Sequence, residues 1–126
     1  MRYILLIYSK EEEGATLEER NAVVMGHRAV MEETGRRGVF RAADPLEPTA
    51  TATTVRVQNG KVLITDGPFA ETKEQLAGYY ILDCQDLDEA LAWAAQIPTG
   101  CCGGVGCVEV RPIREMRGLV QAPMNG

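Results

Sequence analysis

Apolar residues fill every position from Tyr3 to Tyr8, with no polar residue between them. A run of that length without alternation predicts a strand covered on both faces, and so central in its sheet. An acidic loop follows, after which Thr16 and Glu19 have capping-box spacing, where hydroxyl and carboxylate satisfy unpaired amides at a helix start. Val23, Val24, Val30 and Met31 recur at helical period behind this cap, His27 falls within their stripe, and Gly35 and Gly38 bracket the end of the helix.

From Val39 to Pro48 the pattern is that of a strand running into turn residues, since Asp44-Pro45 and Glu47-Pro48 both interrupt regular pairing. Thr53 to Val57, Asn59-Gly60 and Lys61 to Thr65 predict a hairpin, because Asn-Gly supplies the positive φ angles of a two-residue type I′ turn. Asp66-Gly67-Pro68 ends the return arm, and an irregular or helical turn covers Phe69 to Gln75. Gly78 to Cys84 is a further apolar strand. Asp86 and Glu89 mark a second helix start, with Leu87, Ala90, Leu91, Ala94 and Ala95 on one face and a stop before Pro98. Gly103 to Gly106 reads as loop and Cys107 to Val110 as a last strand.

The order is β-α-β, an inserted hairpin, then β-α-β, which predicts an α+β domain of the ferredoxin-like split βαβ type over residues 1–112, with a partly mobile tail over 113–126. Both helices of such a fold lie on one face of an antiparallel sheet. Strands apolar on both sides then require the helix-free face to be covered, most simply by a second copy, so a homodimer with sheets face to face is expected.

Composition narrows the function classes. With 126 residues, 45% hydrophobic and 25% charged, the chain suits one domain with a core of its own. A net charge of -5 and the absence of a basic run disfavour nucleic acid. The Tyr3–Tyr8 run is too short to span a membrane, so no membrane partner and a cytoplasmic location are expected. Cys101, Cys102 and Cys107 crowd a glycine-rich stretch while Cys84 stands alone, and their spacing is not that of a zinc site. Reduced thiols in a loop of small residues are expected, and with one histidine neither metal nor cofactor is assigned.

Asp66-Gly67-Pro68-Phe69-Ala70-Glu71-Thr72-Lys73-Glu74-Gln75, followed by Gly78-Tyr79-Tyr80, resembles the signature of the DGPF branch of the YCII-related proteins. The likeness extends through the Thr53–Val57 strand and the Asp86–Ala95 helix. It implies a dimeric α/β-barrel of ferredoxin-like subunits. Most members of that family have no assigned chemistry. A His-Asp pair is proposed as catalytic in some, a dehydrochlorinase-like lyase role is suggested for one, and occurrence beside sigma factors suggests regulation in others.

The resemblance makes Asp66 the aspartate of the signature and His27 the candidate histidine. His27 as base with Asp66 as its partner suits proton abstraction or elimination on a small organic molecule without a cofactor. Each has a plainer account, His27 as a hydrogen-bonded core residue and Asp66 as the cap of its own turn. Glu71, Lys73 and Tyr79 are candidates for orienting a ligand, although charges on a short turn are commonly just solvated. The alternative function is a non-catalytic ligand-binding or regulatory module with a sigma factor as partner. Arg56 is expected to face solvent. Tyr79 and Tyr80 alternate across the sheet, one toward the dimer core and one under a helix.

Overall fold

The structure is a computed structural model and describes residues 1–11, 14–100 and 106–116. Strand β1 (Arg2–Ser9) runs into helix α1 (Leu17–Arg36), which returns through β2 (Phe40–Pro45). A 3₁₀ turn at Thr49–Thr51 leads to the hairpin β3 (Thr53–Gln58) and β4 (Lys61–Asp66). Then come β5 (Gln75–Asp83), α2 (Leu87–Ala94) and β6 (Gly106–Pro112). The main sheet has the order β2-β5-β1-β6, antiparallel throughout, and β1 is central as its apolar run requires. This order is compatible with the split βαβ arrangement.

Local chemistry explains where each helix begins and ends. Thr16 Oγ1 accepts from Glu19 N–H at 3.1 Å, and Glu19 Oε1 accepts from Thr16 N–H at 3.3 Å, closing the capping box. At the other end Gly38 has φ +75°, its N–H bonds Gly35 O, and Val39 N–H bonds Thr34 O. That pair is a Schellman closure, which needs a left-handed residue past the helix end and so favours glycine there. Asp86 caps α2 by accepting from Glu89 N–H at 2.9 Å. Asn59 (φ 52°) and Gly60 (φ 75°) make the positive-φ turn of the hairpin.

The core lies on the helix side of the sheet. Tyr3, Leu5 and Ile7 from β1 and Tyr80 and Leu82 from β5 meet Val30 of α1 and Ala90 and Trp93 of α2, so both helices cover one face. Ile4, Leu6 and Tyr8 alternate with these and are only half-buried. Among the described residues, the continuous run of β1 is therefore fully sealed on one side only. A bulge between Ile7 and Tyr8 sets Tyr8 opposite Leu76 and Ile7 opposite Gly78, leaving Ala77 without an opposite residue.

Two details differ from the sequence pattern. On α1 the buried side chains are Val30 and Thr34, whereas Val24 and Met31 keep substantial exposure; the buried Thr34 is satisfied by donating to Val30 O at 2.7 Å. On α2 the inward side is Ala90, Trp93 and, past the helix end, Ile97, while Leu87 and Leu91 face outward. Small Ala90 lets α2 settle close to the sheet, and that brings the larger Trp93 inward instead of the leucines. Trp93→Ala should therefore cost about 3–5 kcal/mol in urea unfolding, whereas Leu91→Ala, whose side chain is 46% exposed, should cost under about 1 kcal/mol. Equal losses in the two variants would contradict this placement of α2.

Candidate functional site: a cavity under the first helix

Helix α1 is sealed to the sheet through Val30 and Thr34, but toward its start it stands away from the strands. The space beneath is a cavity of about 300 Å³. Ile7, Ala43, Gly78 and Tyr80 form its sheet side, and Val23, Val24, His27 and Met31 its helix side. Pro98 and Thr99, just past α2, close a third side. Two glycines set the spacing of these walls. A Cβ on Gly26 would lie 2.7 Å from Pro98 Cγ, and one on Gly78 would lie 2.9 Å from Asp44 O.

The walls are mainly aliphatic and aromatic, and the polar contact that stands out is between His27 and Tyr80. His27 Nδ1 lies 2.9 Å from Tyr80 Oη, and the two rings stack with centroids 5.9 Å apart. Tyr80 Oη also lies 3.4 Å from His27 O. Two tautomers satisfy this arrangement. In one, Nδ1–H donates to Tyr80 Oη, the phenol O–H turns to the His27 carbonyl, and Nε2 keeps a free lone pair. In the other, the phenol donates to Nδ1 and Nε2 carries the proton.

Burial tunes both groups in the same sense, away from charge. His27 is held below its ordinary value because the imidazolium loses solvent, so the ring is neutral at pH 7. Burial pushes the Tyr80 phenol up to about 12, which keeps it a hydrogen-bonding hydroxyl. A neutral imidazole braced by a phenol inside an apolar cavity can bind an uncharged molecule and exchange a proton with it.

The residues nominated from sequence distribute over three places. His27 lines the cavity. Asp66 is the last residue of β4, opposite Thr53, with an exposed side chain, and it is not among the lining residues. Glu71 and Lys73 are exposed and border a separate open cleft of about 500 Å³ with Lys10, Thr49 and Gly67. In that cleft Glu11 is already engaged, accepting from Thr49 N–H and Thr49 Oγ1 at 2.8 Å each. Tyr79 borders the cavity, but its hydroxyl donates to Asp44 Oδ2 at 2.6 Å. That bond, with some burial, raises its phenol above the usual value. The sequence marks Tyr80 only for packing, not for chemistry. Its signal was its place one residue beyond Tyr79, on the strand face that a helical histidine can reach.

Among the described cysteines, Cys84 and Cys107 are free. Burial pushes the Cys84 thiol up to about 11, and Cys107 is raised by partial burial and by Glu74, whose Oε2 lies 3.8 Å from its Sγ. Neither is a ready thiolate. Cys101 and Cys102 lie outside the described residues. Among the described residues no group of three or more His, Cys, Asp or Glu side chains is placed to hold a metal, and no helix is long and apolar enough to cross a membrane.

Comparison with known proteins finds a match to the YCII-related domain over residues 1–117. An uncharacterized protein of Rhizobium meliloti (strain 1021) is 38% identical over 115 residues, covering 90% of this chain and 92% of that one.

The His27 environment has a measurable signature. In the unfolded chain the imidazole regains its ordinary value of 6.5, so below that pH the unfolded state takes up the proton more readily than the folded one. Stability is therefore lost as pH falls from 6.5 toward the lowered folded value. Unfolding free energies at pH 7 and pH 5 should drop more for the wild type than for His27→Gln. The difference between the two chains isolates this ring from the carboxylates, and identical drops would mean that His27 is solvated.

Proposed function

Because the chain belongs to the YCII-related family, and because its histidine sits neutral in an apolar cavity, we propose that it binds a small organic molecule under α1 and transfers a proton on it, with His27 as the acid–base group. The observation that carries this reading is the placement of His27, whose Nδ1 is engaged by Tyr80 within a cavity large enough for a small ligand. A general base must hold its proton acceptor toward the substrate in a fixed tautomer. With Nδ1–H donated to Tyr80, Nε2 is that acceptor and Tyr80 is the group that orients it. The reaction class is abstraction of an acidic C–H proton, ending in isomerisation or in elimination of a leaving group, and it needs no cofactor.

The same reading places the chain in the DGPF branch, in the cytoplasm, and in a homodimer joined through the helix-free sheet face, the arrangement that closes a dimeric α/β-barrel. In support of the dimer, Ile4, Leu6, Tyr8 and Ile81 make that face apolar while leaving it only half-buried in one copy. Asp66 enters as a second proton-handling group to be tested beside His27. Glu71, Lys73 and Tyr79 are kept as groups that orient a polar part of the ligand.

His27 is the chain's only histidine, so its ring resonances can be followed directly by NMR while small neutral carbonyl and halogenated compounds are added. Compounds that shift them are then assayed for proton exchange into deuterated solvent or for release of halide. His27→Gln should lower turnover by about 10²–10⁴-fold. Tyr80→Phe should lower kcat and alter the acid limb of the pH profile, whose midpoint lies below 6.5 in the wild type. Turnover that survives His27→Gln removes the acid–base assignment. Full activity in Asp66→Asn removes the His-Asp pair and leaves the His27–Tyr80 pair.

A further inference from the structure

The β3–β4 hairpin pairs only with itself and joins no strand of the main sheet. Cross-strand register sets Val55 opposite Ile64 and Val57 opposite Val62, which places these four β-branched or aliphatic side chains on one face. Each is 59–68% exposed. The opposite face carries Thr54, Arg56, Leu63 and Thr65, a mixed and mainly polar set. At its base the two arms are joined to each other by Gly67 N–H to Ala52 O at 2.7 Å and Thr54 Oγ1 to Gly67 O at 2.8 Å.

A two-stranded hairpin standing alone in water is marginal at best, and one with an apolar face invites pairing with other chains. We propose that this hairpin is an intermolecular arm, its Val55, Val57, Val62 and Ile64 face covered by a second copy of the chain. The proposal rests on the homodimer of the preceding section and adds the part of the interface that the sheet cannot supply.

Size argues for it. Four strands of about seven residues outline a sheet face of roughly 20 by 23 Å, about 450 Å². A stable pair of proteins removes about 800 Å² of accessible surface from each partner. The hairpin adds a patch of roughly 200 Å² in outline, bringing the two to roughly 650 Å². The sheet face alone falls below the lower end of the standard range, about 600 Å² per partner, and sheet plus arm reaches it. A two-fold axis then makes the exchange reciprocal, each copy giving one arm and receiving one.

Sedimentation and hydrogen exchange test the arm. The wild type should be a dimer, and Val57→Asp with Ile64→Asp should raise its dissociation constant by about 100-fold or more, since each change occurs twice in a symmetric pair. Arg56→Gln, on the other face, should leave it unaltered. Both side chains are exposed in the single copy, so circular dichroism of the double variant should match the wild type. In the unaltered protein, amides of residues 53–66 should be protected in the dimer and lose protection on dilution into the monomer. A dimer whose dissociation constant ignores the double variant, or hairpin amides that exchange equally in dimer and monomer, overturns the arm and leaves the sheet-face dimer standing. A wild type that stays monomeric at high concentration overturns both, and the hairpin then belongs to a different partner.

Discussion

The attachment of α1 to the sheet governs much else in this molecule. It is made at two points of opposite chemistry. Toward the end of the helix, Val30 packs into the aliphatic core and Thr34 folds its hydroxyl back onto the helix backbone, so nothing polar is left unsatisfied there. Nearer the start, the contact is a hydrogen bond and ring stack between His27 and Tyr80. A helix sealed by packing toward its end and held by a polar pair nearer its start leaves space around that pair, and that space is the cavity. Gly26 lets the helix approach Pro98 closely enough to close one side of it.

Much of this architecture was legible in the sequence because it is written in local rules. The capping box at Thr16 and Glu19, the glycine closure after α1, the Asn59-Gly60 turn and the central position of the Tyr3–Tyr8 strand all depend on a few neighbouring residues. What escaped depended on distance across the fold. The inward side of α2 was set by how closely Ala90 approaches the sheet, which a helical pattern of alanines and leucines does not specify. The stripe on α1 marked the correct face but could not tell which of its residues would be sealed and which would border open space.

The candidate site divides along the same line. His27 stood out as the single histidine on an apolar stripe, and the structure places it in the cavity. Its contact with Tyr80 joins residues 53 apart in sequence and is fixed by strand register. The signature run from Asp66 to Gln75 was the most distinctive stretch of the chain, yet Glu71 and Lys73 border a second, polar cleft, outside the apolar cavity. Motif specificity identifies relatives, whereas burial and hydrogen-bond partners identify chemistry, and here the two point to neighbouring but separate parts of one molecule.

The stand-off of α1 has an evolutionary consequence. Larger aliphatic side chains at Val24 or Ala43 would fill the cavity and tie the helix more firmly to the strands, a gain in stability within reach of single substitutions. A lineage under selection for heat resistance alone would be expected to drift that way. The small side chain of Ala43 near a half-buried histidine therefore keeps open a space that a bulkier residue would close, so firmness of the helix and room beneath it are set against each other at the same position.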